Sequence, residues 1–221
     1  NVNIDLENFE NLKNYILEKN IDLIVVGPEK PLVEGLVDYL EKLQIKVFGP
    51  NKTASQLEGS KIFTKKLCEK FNIPTAKFGI FDSKNSAQKF IQNSNFPIVI
   101  KADNLASGKG VYICNNYNDG VVAIDEIFNG KFGKARNLLI EEFLNGEEMS
   151  FFTIHDGKNF KCFGTAQDHK RVLEGDKGKN TGGMGAYSPS RLINEELEKK
   201  IIDKIIKPTL KGLGEIGSSY K

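Results

Sequence analysis

The feature that most restricts this chain is a pair of short β-branched runs, each entered from a helical stripe and each stopped by Gly-Pro. Phe9, Leu12 and Ile16 recur at helical spacing and lead into Ile21-Asp22-Leu23-Ile24-Val25-Val26, which ends at Gly27-Pro28. Val33, Leu36, Val37, Leu40 and Leu43 then mark one further helix, followed by Ile45-Lys46-Val47-Phe48 and Gly49-Pro50. Helix, strand, helix, strand implies a parallel pair, because parallel neighbours need the crossover that a helix supplies. Gly27, Pro28 and Glu29 fall at the carboxyl end of the first strand, where open α/β sheets take ligands; a plain turn is the alternative.

After Pro50 the pattern restarts. Thr53 with Gln56 and Ser55 with Glu58 have capping-box spacing ahead of the stripe Phe63, Leu67, Phe71, and Ile73-Pro74 breaks that helix. The pattern then predicts strand 76–81, helix 84–92, strand 97–101, strand 111–114, helix 119–128 and strand 138–143, a compact α+β module. Strands over 149–155 and 160–166 are joined at Asp156-Gly157, a hairpin signal. A loop of about twenty residues, rich in Gly and Lys, follows, and loops of that length in compact domains are often functional. It leads to a helix bearing Leu197, Ile201 and Ile205. The expected class is α/β together with α+β.

Bulk properties narrow the function. The 221 residues can bury one large core or two modest ones. A net charge of +2 gives no support to a general nucleic-acid or membrane-surface role, and no apolar run approaches the ~20 residues of a membrane helix. The expected partners are small molecules, and the expected state is a monomer or weak oligomer. Cys68, Cys114 and Cys162 are odd in number and lack metal-ligand spacing, which fits structural thiols in a reducing cytoplasm. The chain opens at Asn1 close to a helical pattern and stops directly after another, so it is expected to be an internal fragment.

The segment Asp103-Asn104-Leu105-Ala106-Ser107-Gly108-Lys109-Gly110 follows an apolar strand and precedes Val111. Small residues such as Ala106, Ser107, Gly108 and Gly110 let backbone amides approach phosphate oxygens, and Lys109 adds a cation. It is not a Walker A loop, since Asp103 stands where Gly is required and Gly110 where Ser or Thr would be; a plain hairpin is the alternative. Lys101, ending its strand, and Lys61, on a helix after Gly59-Ser60, supply two more cations; a snorkelling strand-end lysine and a solvated helix charge are the alternatives.

Three further segments carry polar chemistry. In Glu141-Glu142-Phe143-Leu144 an extended edge offers the acceptor and donor an adenine needs, and Glu148 suits a ribose diol; an acidic hairpin is the alternative. Gln167-Asp168-His169-Lys170-Arg171 could hold a phosphate through its cations, with His169 orienting a proton, or be a solvated charge run. Two histidines without a neighbouring Cys argue against zinc, and no metal ligand is assigned. Thr181-Gly182-Gly183-Met184-Gly185 could wrap an anion or be a linker.

Taken in order, Gly27-Pro28-Glu29-x-Pro31-Leu32, Leu57-Glu58-Gly59-Ser60-Lys61, Val99-Ile100-Lys101-Ala102-Asp103-x-Leu105-Ala106-x-Gly108-Lys109-Gly110-Val111, Glu141-Glu142-Phe143-Leu144-x-Gly146-Glu147-Glu148, Gln167-Asp168-His169-Lys170-Arg171 and Asn180-Thr181-Gly182-Gly183-Met184-Gly185-Ala186-Tyr187-Ser188-Pro189 closely resemble the glycinamide ribonucleotide synthetase family of ATP-grasp enzymes. The resemblance covers nearly the whole chain. It implies ATP-dependent ligation of glycine to 5-phosphoribosylamine in purine synthesis, through an acyl phosphate. Another ATP-grasp carboxylate–amine ligase and a non-catalytic ATP-binding module are the alternatives.

It further implies a partial parallel N-terminal domain over 1–50, a linker helix and core start over 51–75, a small lid subdomain over 76–144 and a partial, truncated ATP-grasp core over 145–221. Lys61 and Lys101 resemble the ATP-phosphate lysines, residues 103–110 with Ser107, Gly108, Lys109 and Gly110 the mobile loop, Glu141, Glu142, Phe143 and Leu144 the adenine hinge, and Glu148 the ribose carboxylate. Gly27, Pro28 and Glu29 would face phosphoribosylamine. Asp168, His169, Lys170, Arg171 and Thr181 to Gly185 would line the glycine and phosphoribosyl site, with Lys101, Asp168 and Arg171 as catalytic candidates. The resemblance implies Mg2+ or Mn2+ held by a Glu and an Asn on a strand beyond Lys221, and a glycine-rich strand-turn-helix before Asn1. Glu18-Lys19-Asn20 matches the metal pair in type alone.

Overall fold

Helix α1 (Phe9–Glu18) starts at Asn8, whose side chain accepts from the Asn11 amide, and buries Ile16. It leads to strand β1 (Ile24–Val25), which pairs in parallel with β2 (Val47–Phe48) as the helix–strand alternation requires. The single helix expected between them is two, α2 (Glu29–Glu34) and α3 (Leu36–Lys42). Gly35 divides them: its φ is +98°, a left-handed conformation that glycine adopts without a Cβ clash, and its amide donates to the carbonyls of Pro31 and Leu32. Helix α3 then buries Leu36, Val37 and Leu40, and Leu36 and Leu40 pack with Ile16. The computed structural model describes residues 1–103, 110–133, 136–175, 177–218 and 220–221, and of residues 171, 177, 179 and 180 the backbone.

Neither capping box forms. Ser55 has helical dihedrals, and its hydroxyl donates to the carbonyls of Pro50 and Asn51, so α4 (Gln56–Gly59) is one turn without a side-chain cap. Ser60 has the extended backbone an N-cap needs and accepts from the Phe63 amide at 3.1 Å, opening α5 (Lys61–Lys70).

Strands β3 (Phe78–Phe81), β4 (Ile98–Ala102), β5 (Val111–Cys114) and β6 (Leu138–Glu142) form an antiparallel sheet in the order β3-β6-β4-β5. Helices α6 (Lys84–Ile91) and α7 (Tyr117–Phe128) cover one face. Helix α7 begins earlier than its apolar stripe because Asn116 caps it, accepting from the Asp119 amide. Ile98, Ile100 and Ala102 of β4 enter the core with Ile124, Ile127 and Ile140, and burying an isoleucine contributes roughly 2 kcal/mol. The alternate positions of β4, Val99 and Lys101, therefore turn to the opposite face.

Strands β7 (Ser150–His155) and β8 (Phe160–Asp168) form the expected hairpin, with the Asp156 carboxylate accepting from the Lys158 and Asn159 amides. The long loop expected after β8 contains structure. Strands β9 (Arg171–Leu173) and β10 (Lys177–Asn180) pair with each other, and β11 (Ala186–Tyr187) joins β8. Backbone bonding builds these pairs in a stretch without hydrophobic alternation, so periodicity is blind to them. Helix α8 (Glu195–Ile201) passes through a π-helical stretch, Ile202–Ile206, into α9 (Lys207–Glu215). Among the described residues no helix is long and apolar enough to cross a membrane.

Candidate functional site

The sheet face turned away from α6 and α7 floors a cavity of about 680 Å³, reached by Val99 and Lys101 of β4, Val111 and Ile113 of β5 and Glu141 of β6. Register explains the company these side chains keep. Val99 pairs with Glu141 and Lys101 with Leu139, so Lys101 and Glu141 are diagonal neighbours on one face. Lys101 Nζ meets Glu141 Oε1 at 2.9 Å, and Lys65 Nζ of α5 meets Glu141 Oε2 at 3.1 Å. Glu141 is 6% exposed, Lys65 10% and Lys101 26%. Lys65 also donates to Thr75 Oγ1 at 2.7 Å and to the Ala76 carbonyl at 3.3 Å, and lies over the Phe78 ring.

Asp103, the first residue of the glycine- and lysine-bearing loop, is tied to the start of α5. Its carboxylate accepts from the Ser60 hydroxyl at 3.1 Å and the Ile62 amide at 3.0 Å, placing an anion where the helix dipole favours one. The Ala102 amide donates to the Gly110 carbonyl at 2.9 Å, closing the base of the loop. Ser107, Gly108 and Lys109 lie outside the described residues. Lys61 opens α5 beside Asp103. Burial pushes its ammonium below the ordinary lysine range, a shift that Asp103 and Glu58 oppose and Lys101 reinforces.

From Glu142 at the end of β6 the chain continues along the cavity wall through Phe143, Leu144 and Glu148. Glu142 is fixed by its backbone and side chain to Lys77, whose amide donates to Glu142 Oε1 at 2.8 Å. Opposite stand Asp168, His169 and Lys170 at the end of β8, with Gln167 and Tyr187 beside them. Lys170 forms an ion pair with Glu148, and Glu148 holds the Lys170 ammonium above its usual range while burial opposes that shift. Arg191 pairs with Glu147 across the same opening. Thr181 to Gly185 are joined to this wall through backbone hydrogen bonds. The Thr181 amide donates to the Lys170 carbonyl at 2.7 Å, the Met184 amide to the His169 carbonyl at 2.8 Å, and the His169 amide to the Gly185 carbonyl at 2.9 Å. At Gly183, with φ of +110°, glycine permits the turn. The Arg171 backbone pairs with Asn180 in β9-β10.

Gly27 and Glu29 sit elsewhere, in a second cavity of about 350 Å³ shared with Glu58 and Tyr220; Pro28 precedes α2 as its N-cap. Several residues of the larger cavity escape sequence reasoning. Lys65, which backs Glu141 without lining the cavity, is the second lysine of a helix whose stripe is apolar, and nothing in that pattern separates it from a solvated charge. Val99, Val111 and Ile113 are apolar like their core-facing neighbours, and strand pairing decides their face. Gln167 belongs to a recognised motif without a role of its own, yet its Oε1 accepts from the Tyr187 hydroxyl at 2.5 Å and the Ser190 hydroxyl at 3.2 Å.

A family profile described as phosphoribosylglycinamide synthetase, N domain, matches residues 1–58, and one described as phosphoribosylglycinamide synthetase, ATP-grasp (A) domain, matches residues 59–221. The chain belongs to the phosphoribosylglycinamide synthetase family. A curated phosphoribosylamine–glycine ligase from Mesorhizobium japonicum is 48% identical over 220 residues, 99% of this chain and 52% of that protein. The chain spans about half the length of the curated relatives it matches. The crystal structure of a phosphoribosylamine–glycine ligase from Thermotoga maritima superposes with a TM-score of 0.80 at 32% identity, covering 94% of this chain and 51% of that one. At 20% identity, a biotin carboxylase domain of 2-oxoglutarate carboxylase from Hydrogenobacter thermophilus, solved with MgADP, superposes with a TM-score of 0.76 over 96% of this chain and 48% of its own. That likeness concerns the fold. The expected combination of a parallel N-terminal pair and an ATP-grasp unit is the architecture present.

Proposed function

We propose that this chain supplies the nucleotide site and part of the substrate site of an enzyme that joins glycine to 5-phosphoribosylamine, giving glycinamide ribonucleotide, ADP and phosphate. The carrying observation is that one cavity of about 680 Å³ brings Lys101, Glu141 and the chain from Glu142 to Glu148 against Asp168, His169 and Lys170. Nucleotide-type and substrate-type groups thus share one enclosure, as a phosphoryl transfer from ATP to a carboxylate requires.

In this proposal the glycine carboxylate attacks the γ-phosphorus of ATP and ADP leaves, giving glycyl phosphate. The amine of phosphoribosylamine then attacks the glycyl carbonyl, and phosphate leaves with the C–O bond electrons and takes up the proton that the nitrogen sheds. Lys61 and Lys101, with Ser107, Gly108, Lys109 and Gly110 of the loop, hold the phosphates. The extended chain from Glu141 through Glu142 and Phe143 to Leu144 meets adenine, and Glu148 exchanges Lys170 for the ribose diol. Asp168, His169, Lys170, Arg171 and the turn Thr181-Gly182-Gly183-Met184-Gly185 receive glycine and the phosphoribosyl group. Gly27, Pro28 and Glu29 approach phosphoribosylamine from the second cavity. The polar, apolar-floored cavity suits a nucleotide, since Val99, Val111 and Ile113 offer a surface for the base and Lys101 a charge for the phosphates.

A divalent ion, Mg2+ or Mn2+, accompanies ATP in this proposal; when bound it neutralises phosphate charge. Among the described residues no group of three or more His, Cys, Asp and Glu side chains fit to hold a metal is present. The division into 1–50, 51–75, 76–144 and 145–221 belongs to the same proposal, supported by the parallel β1-β2 pair in the first part and the four-stranded sheet in the third. So do small-molecule partners, a monomer or weak oligomer, and a cytoplasmic location, the last supported by three free thiols.

The test is ADP release by the naturally occurring polypeptide that carries this chain, with ATP and each substrate omitted in turn. ADP is expected when glycine and phosphoribosylamine are both present. ADP formed regardless of glycine, or with another carboxylate in its place, removes the assignment, and ATP binding without hydrolysis moves it to a non-catalytic module.

A further inference from the structure

The trio Lys65, Glu141 and Lys101 poses a physical question that the nucleotide proposal leaves open. Two cations share one buried carboxylate, and the trio carries a net positive charge. A buried ion pair adds little to stability relative to apolar packing, because desolvation offsets most of the attraction. The arrangement is also asymmetric. Lys101 and Glu141 line the cavity, whereas Lys65 stands behind Glu141 and is held by Thr75, Ala76 and the Phe78 ring. Its three hydrogen-bond or ion-pair partners and its ring contact fix the ammonium, and through Oε2 they fix the plane of the carboxylate.

We infer that Lys65 is a positioning residue that neutralises Glu141 from behind, leaving the Lys101 ammonium with charge to spare for a phosphate in the cavity. This rests on the nucleotide reading of the larger cavity. With Lys65 in place the trio presents one net positive charge, and its exposed end is Lys101, the member at 26% exposure. Without Lys65, Glu141 and Lys101 cancel, and an incoming phosphate competes with a carboxylate for the lysine. The carboxylate itself serves as a clamp: it stops Lys101 from swinging away through its flexible stem, which lowers the entropy lost when a phosphate binds.

Charge bookkeeping gives the test. Lys65→Met removes the rear cation and keeps most of the side-chain volume. Lys65→Met with Glu141→Gln removes one charge of each sign and restores the net charge of the parent trio. Calorimetry on the folded chain with inorganic tripolyphosphate, with ATP and with adenosine reads the outcome. Lys65→Met is expected to weaken tripolyphosphate and ATP binding about tenfold or more, the size of one lost charge-assisted contact, with adenosine little changed. The double variant is expected to recover most of the loss. A purely structural Lys65 predicts the reverse pattern, in which all three ligands weaken together and the second substitution rescues nothing; that result overturns the inference. Circular dichroism below the melting temperature checks that each variant is folded. If Lys65→Met melts out, Lys65→Gln beside its own Glu141→Gln double carries the same comparison. A parent chain that binds neither ATP nor tripolyphosphate overturns the nucleotide proposal itself and the inference with it, a result distinct from failed rescue.

Discussion

Lys101 and Cys114 lie on neighbouring strands but face opposite ways, and their environments predict opposite behaviour. Lys101→Ala takes away the cation facing the cavity while leaving Glu141 paired with Lys65, so the fold keeps its buried carboxylate compensated. ATP affinity measured by calorimetry is expected to fall about tenfold to a hundredfold, and unchanged affinity removes Lys101 from the site. Cys114 is 1% exposed in the core, and burial pushes its thiol from 9.0 up to about 11, with Asp119 adding to the rise. Iodoacetamide is expected to modify exposed Cys162 in the folded chain and to reach Cys114 after urea unfolding. The linked stability effect has a fixed sign: below pH 9.0 the thiol is protonated in both states, and between 9.0 and about 11 the unfolded chain loses the proton first, so stability falls as pH rises through that window. Urea midpoints across the window, compared with Cys114→Ala, check this. Lys101 could be singled out from sequence because a charge ending an apolar strand is conspicuous. Lys65 could not, because its partners come from 75–78 and 141, and a helix stripe carries no record of what packs on it.

At the scale of elements, the join between β4 and α5 rests on Asp103. Sequence places this residue in a phosphate-compatible loop; in the fold its carboxylate serves the start of a helix more than 40 positions earlier, bonding Ser60 and Ile62. Asp103→Ala is expected to lower unfolding stability by about 1–3 kcal/mol, the range for unmaking a cap and leaving a donor unpaired, and Asp103→Asn by less because it keeps an acceptor. Urea denaturation gives both values. An alanine variant as stable as the parent would show that the join does not depend on this carboxylate. Elements were legible where one face is apolar: the stripes of α1, α5 and α7 and the apolar runs of β4 and β6 stand out because burial imposes their period. Local chemistry was less legible. Ser55 and Ser60 are the same residue type before the same stripe, and the backbone dihedrals that make one a cap are set by the turn between them. Gly35 interrupts an apolar period that continues through it, and β9 and β10 have no period to read.

For the whole molecule, the telling fact is the separation of two cavities. Groups spread from Lys101 to Lys170 gather in the larger one, while Gly27 and Glu29 line the smaller with Glu58 and Tyr220. The order of motifs along the chain was readable, but their division between two enclosures was not, because it depends on how α2 packs against α4 rather than on any local pattern. The division makes a prediction about ligand response. A nucleotide in the larger cavity would bridge its sheet floor and the end of β8, since Glu148 and Lys170 already meet across the opening. Ligand binding to the native state slows opening wherever the bound conformation must be lost first. Amide hydrogen exchange followed by mass spectrometry is therefore expected to slow in peptides covering 138–148 and 165–170 when ATP is added, with 24–29 little changed. Adding tripolyphosphate should protect the β4 end and spare 142–148, because it lacks the base and ribose that those residues would meet. Protection that starts at 24–29, or that leaves 165–170 untouched at saturating ATP, would place the nucleotide outside the larger cavity and detach Asp168, His169 and Lys170 from it.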